Sequence, residues 1–224
     1  MALLLADTRL PSGAHAHSGG VEQAVDDGVI RDVASLDGFL RGRLTTSGRL
    51  SAHVAARCCV LAANPAADTD RWSEVDDEVS ARIVAPALRA TSRQQGHALL
   101  RTGRAVLGAP ALNIVAPRAP HGPHLAVVQG ALAHHGGLGP PDAALMAAYG
   151  AVASAASAAL RLLGLDPVSV ASLLARLAAP LDEVTSEAAA AAADDVRSLP
   201  APATPLTDYL GERHATRKER LFAS

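Results

Sequence analysis

The segment PPDAALMAAYGAVASAASAALRLLG, residues 140–164, decides the fold. Two prolines open it and a glycine closes it. Between them Met146, Tyr149, Val152, Ala156, Leu160 and Leu163 recur at helical spacing on a background of Ala, Ser and Gly. That pattern reads as one long helix. Asp166-Pro167 then signals the next start, because Asp caps a helix and Pro fits its first position. Leu173, Leu174, Leu177, Leu181 and Val184 carry the apolar stripe onward, and Pro180 is expected to kink or split it. The Ala-rich run 187–195 favours helix. Upstream, Leu36, Phe39, Leu40 and Leu44 follow the same periodicity, with Ser35 as the candidate cap. Thr204-Pro205 gives a last start signal. Ile114-Val115 and Ala126-Val127-Val128 are too short to count as strands. The reading is all-α, a single-domain bundle of roughly eight to ten helices spanning 1–224.

Composition agrees and excludes several classes. The chain has 224 residues, of which 49% are hydrophobic but only 2% aromatic, and 50 are alanine. Its 20 Lys+Arg against 22 Asp+Glu leave a net charge of -2, with Lys218 the single lysine. Gripping nucleic acid needs clustered cations, so no nucleic-acid partner is expected. No Gly-Lys pair occurs, which excludes a P-loop of the G-x-x-x-x-G-K form. The N-terminal apolar run is too short for a signal-peptide core. No run of about 18 strongly apolar residues predicts a membrane span. The adjacent Cys58 and Cys59 cannot staple distant segments, so they read as small core residues of a cytoplasmic protein. Four prolines mark residues 108–123 as an exposed loop within the one domain, long enough to be functional or mobile.

Histidines are the first candidates for chemistry, in the pairs His15/His17, His121/His124 and His134/His135. None has the spacing of a metal motif, so surface or capping roles are expected. A transient metal contact at His15 and His17 is kept open. So is a helical metal-dependent hydrolase built on His15/His17 or His121/His124. Asp68, Asp70, Asp76 and Asp77 around Trp72 read as a solvated helix face. The two ends are more unusual. Residues 10–22, LPSGAHAHSGGVE, make a turn rich in small residues that leads into a helix, with Glu22 in its first turn facing the positive end of the helix dipole. Residues 209–224, YLGERHATRKERLFAS, end basic and then apolar. Phe222 is read as exposed beside arginines, the composition of a docking element.

These two ends, with SRQQG at 92–96 and HLAVVQG at 124–130 between them, resemble the UreF family of urease accessory proteins. The resemblance spans almost the whole chain. It implies an all-helical, non-catalytic, dimeric scaffold without a tightly bound cofactor. Its implied partners are UreD (also called UreH), the GTPase UreG and apo-urease, with transient nickel as cargo. It assigns partner binding to Pro11, Gly13, Ser18, Gly20 and Glu22 in the first motif. In the tail it assigns Tyr209, His214, Arg217, Arg220, Leu221, Phe222 and Ser224. Many members carry aromatics where this chain has His15 and His17, which points nickel to those two histidines. Many also carry Arg where this chain has Ala223. A flexible docking tail is expected over 211–224, and removing the chain after Arg213 is expected to spare the fold.

Overall fold

Caps written in the sequence set several helix starts. This computed structural model describes residues 16–64, 67–107, 112, 115 and 122–223, and within them no strand forms. In chain order the helices are α1 (Val21–Asp26), α2 (Val33–Arg43), α3 (Arg49–Ala63), α4 (Thr69–Arg82), α5 (Pro86–Leu107), α6 (Leu125–His135), α7 (Pro140–Leu163), α8 (Pro167–Arg176), α9 (Ala178–Ala190) and α10 (Pro205–Ala215). A π-helical turn, Leu44–Gly48, joins α2 to α3 without a break in helical backbone. Hydroxyls of Thr45, Thr46 and Ser47 donate to the carbonyls of Arg41, Gly42 and Arg43 there, the back-bonding by which Ser and Thr compete with the helical ladder.

Asp68 and Asp166 accept from the backbone of Arg71 and Ser169 at 3.1 and 2.8 Å, capping α4 and α8. The cap of α2 is Asp32, not Ser35. Asp32 has the extended backbone of a cap, and Ser35 is the return arm of a reciprocal capping box. The split expected from Pro180 falls at Leu177, between α8 and α9. Pro180 has no N–H to offer the Arg176 carbonyl four residues back, so the ladder ends there. The Ala-rich run stops short of expectation: α9 ends at Ala190 and residues 191–194 turn. Arg57 takes the carbonyls of Ala192 and Asp194, and the turn delivers Val196 and Leu199 to the core. Tertiary bonds override the helical preference of alanine.

Helix α3 packs on α6, α7 and α9 and divides the interior. On one side Leu36, Leu40, Leu44, Val152, Leu173, Leu177 and Leu210 gather. On the other, Val54, Leu61, Trp72, Val75, Leu100, Val127 and Leu132 do so. Between them runs a seam of Ala55, Cys59, Ala133, Ala143 and Ala147, where only small side chains let three helices approach. Helix α7 is long and apolar enough to cross a bilayer. Its Ala144, Ala148, Val152, Ala155 and Ala159 are instead wholly buried against neighbouring helices. The loop 108–123 is not wholly exposed: Leu112 and Val115 are buried in the second core cluster. Its remaining residues up to 121 lie outside the described set.

Candidate functional site

Of the first motif, Pro11, Gly13 and His15 lie outside the described residues, and the rest builds a tight entry into α1. Gly19 and Gly20 both adopt positive φ, +62° and +87°, a backbone that L side chains rarely tolerate. The Ser18 hydroxyl accepts from the Glu22 backbone N–H at 3.3 Å. This turn points Glu22 inward. The carboxylate expected to face a helix end is 3% exposed and meets the other end of the chain.

Four groups of the C-terminal segment converge on it. Oε1 accepts from the Leu221 backbone N–H at 2.8 Å. Oε2 accepts from the Phe222 N–H at 3.1 Å and from His214 Nε2 at 2.8 Å. Because a carboxylate only accepts, Nε2 carries a proton. Arg217 Nη1 lies 3.9 Å from Oε1 and pairs with Asp26, one turn further along α1. The Ala223 N–H donates to the Ala16 carbonyl at 2.6 Å, fixing the tail beside the entry turn. Burial pushes the Glu22 pKa up. The bonds from Leu221, His214 and Phe222 outweigh it, with the His214 charge adding to them, so the carboxyl titrates below its ordinary 4.5.

Phe222 is therefore not exposed. Its ring is 7% exposed within the main core cluster, with the Arg161 guanidinium 4.5 Å above it. The largest apolar group of the tail leaves water, while Leu221 on the opposite side stays 82% exposed. Residues 211–215 belong to α10, and 216–223 return onto the body. Removal of the chain after Arg213 would strip Glu22 of His214 and both amides. It would also take Phe222 out of the main core cluster, so the truncation is expected to lower stability instead of sparing it. Tyr209 stands apart, half exposed and bonded to Arg213 at 2.9 Å. Ser224 lies outside the described residues. Sequence reasoning passed over Asp26; its spacing of four from Glu22, on the same helical face as an acid that meets a basic tail, was the available signal.

The histidine pairs divide differently. His17 is half-buried, and burial lowers its pKa. His121 lies outside the described residues. His124 is neither a surface group nor an open metal ligand. It is wholly buried, with Nε2 2.9 Å from the Ser80 hydroxyl and Nδ1 3.0 Å from the Ser92 hydroxyl. Burial, then Arg93 and Arg89, drive its pKa down to about 3. Asp76 is likewise not solvated: it accepts from the His124 N–H at 2.8 Å and pairs with Arg93 at 2.8 Å. Both middle motifs thus serve packing. A Cβ on Gly96 would sit 2.0 Å from the Pro123 carbonyl, and one on Gly130 would sit 2.2 Å from that of Ala55. Cys58 and Cys59 are buried and free, with burial raising both thiols. Among the described residues, no group of three or more His, Cys, Asp or Glu gathers as a metal site.

Comparison with known proteins bears on the same two ends. The family described as UreF matches residues 30–178. The chain is similar over 99% of its length to the urease accessory protein UreF of Mycolicibacterium vanbaalenii, at 41% identity and 97% of that protein. It is similar to the protein of the same name from Mycobacterium tuberculosis H37Rv, at 40% identity over 99% of this chain and 97% of that one. The Mycobacterium marinum protein is 39% identical over 100% and 98%. The family match covers α2 to α8 and omits Glu22 and the tail, whereas the full-length relatives span both.

Proposed function

The chain belongs to the UreF family of urease accessory proteins, and from that premise we propose that it is a non-catalytic scaffold of urease maturation. In this reading it bridges UreD/UreH and the GTPase UreG, modulates GTP hydrolysis, and assists nickel delivery to apo-urease. It works as a cytoplasmic homodimer. Nickel is cargo, and no cofactor is held tightly.

One observation carries the docking part of this reading. The tail is clamped from within by Glu22 and Phe222, and the clamp leaves Arg220 and Leu221 outward. A rigid segment that displays an arginine beside a leucine loses little entropy on binding, and arginine is enriched among interface hot spots. The inward residues of the two motifs then act on partners indirectly, by holding that display in place. The transient nickel role of His15 and His17 belongs to the same reading.

The test is co-expression with UreD and UreG of the same source, followed by size-exclusion chromatography with light scattering. A complex whose mass fits two copies of each protein is expected. The double variant Arg220→Ala, Leu221→Ala is expected to lose the complex while keeping its melting temperature within about 2 °C, as surface changes generally do. A wild-type chain that ignores both partners, or a variant that assembles normally, overturns the docking role.

A further inference from the structure

A second feature lies away from the tail. A cavity of about 250 Å³ opens between α3, α5, α6 and α7 and reaches the start of α10. Its walls are largely apolar, with Leu50, Val54, Leu99, Leu132 and Met146 among them. Among the cations of this wall is Arg43, the last residue before the π-helical turn. Its Nε donates to the Ala151 carbonyl at 2.8 Å and its Nη1 to the Gly19 carbonyl at 2.8 Å. No carboxylate among the described residues pairs with it. The guanidinium is half-buried in this wall, and that partial loss of water lowers its pKa to about 10. It remains a full cation at neutral pH.

Other charged groups in the wall do not meet this need. Arg82 is held by Glu78 and by the carbonyls of Leu199 and Arg197. Asp208 is an anion, not a cation; its Oδ2 accepts from the Thr204 hydroxyl at 2.9 Å, while its Oδ1 is buried without a hydrogen-bond partner among the described residues. Two carbonyls use two of the five guanidinium N–H groups, which leaves donors for an anion. A half-buried cation with no counter-charge among the described residues is partly desolvated, and a bound anion would offset that cost.

We propose that this cavity binds a small aliphatic carboxylate, with its carboxylate on the Arg43 guanidinium and its chain along the apolar walls. The walls exclude a wholly polar ligand, because apolar surface rewards only apolar surface. A dianion is disfavoured by Asp208 in the same wall. The site is independent of the docking reading and stands or falls without UreD or UreG.

Octanoate is the probe, titrated by calorimetry into the full chain, with octanol and acetate as controls. One octanoate per chain is expected to bind saturably. Octanol lacks the charge and acetate lacks the chain, so both are expected to bind at least about tenfold more weakly. Arg43→Met removes a charged hydrogen-bonding group and is expected to weaken octanoate about 10–100-fold. Because that variant also frees Gly19 and Ala151, a second variant fills the cavity without touching Arg43. A Cβ at Gly150 meets nothing closer than Gln129 Nε2 at 3.9 Å, so Gly150→Leu is expected to fold and to abolish binding. No saturable octanoate binding overturns the proposal. So does octanol binding as tightly as octanoate, or a folded Gly150→Leu that binds like the wild type.

Discussion

Replacing Glu22 by Gln keeps the shape and removes the charge on which the tail depends. Two oxygens now receive three hydrogen bonds, at 2.8, 2.8 and 3.1 Å. In the amide one oxygen becomes an NH2 group, which must face a backbone N–H or the proton on His214 Nε2. Whichever way it flips, at least one donor meets a donor. Hydrogen bonds to a charged acceptor contribute about 1.5–3 kcal/mol each, so the substitution removes about 3 kcal/mol from tail anchoring. Phe222 burial still contributes about 1.5–3 kcal/mol, so the tail loosens without full release. A loss of 3 kcal/mol corresponds to about a 100-fold shift in the opening equilibrium. Native-state hydrogen exchange reads it directly: the Leu221 and Phe222 amides are expected to exchange about 100-fold faster, while amides of α3 and α7 stay unchanged. Acid should have the same effect. Glu22 has its pKa lowered in the folded state, so its contribution is complete above the ordinary carboxylate value of 4.5 and is lost as pH falls through the lower folded value. Protection of the two tail amides within about threefold of wild type would refute the assignment of Glu22 as their anchor.

Two further perturbations test the middle of the molecule. The pKa of His124 falls to about 3 on folding, so the unfolded chain gains a proton near pH 6.5 that the folded chain refuses. Stability should decline by about 1.4 kcal/mol per pH unit from pH 6.5 toward 5 on account of this group, and His124→Gln should flatten that slope in urea titrations relative to wild type. An equal slope in the variant would show that other groups set it. Gly130→Ala would place a methyl 2.2 Å from the Ala55 carbonyl and 2.6 Å from Cys58 Cβ. Forcing α6 off α3 should cost about 1–3 kcal/mol, read as a lower urea midpoint at unchanged slope, and an unchanged midpoint would mean that this helix pair has slack.

The fold was legible in the sequence wherever one local rule sufficed. Pro140, Asp166-Pro167 and Thr204-Pro205 each mark a helix start, and the stripe from Met146 to Leu163 gives α7 almost residue for residue. Legibility ended where long-range partners decide. Nothing local says that Arg57 will claim the carbonyls of Ala192 and Asp194 and stop α9 within an alanine tract. Nothing local says that Asp76, in a run of acids, will be drawn in by Arg93 and the His124 amide. The site divides in the same way. Residue types at both ends pointed to them as special, and the resemblance ranked Glu22, His214 and Phe222 among the residues that matter. That Glu22 and Phe222, 200 positions apart, hold each other is a tertiary fact with no local pattern, and it changes what each residue does.

The alanine content explains why the tail must fold inward. Five aromatic residues in 224 leave few side chains able to span a gap between helices. The seam of Ala55, Ala133, Ala143 and Ala147 closes the centre by bringing backbones together. That solution works only where helices can touch, and it fails at the periphery, where α1 has six residues and α10 eleven. There Phe222 supplies bulk that alanine cannot. Its amide and that of Leu221 must then leave water as well, and a buried backbone donor needs an acceptor. Glu22 meets that need, and it accepts in turn from His214 Nε2 with the Arg217 guanidinium 3.9 Å away. The same residues that complete a small-residue core thereby fix the direction of the last turn of chain. Fold completion and surface display are one construction here, so a variant that weakens the inner half is expected to blunt the outer half even where no outward residue has changed.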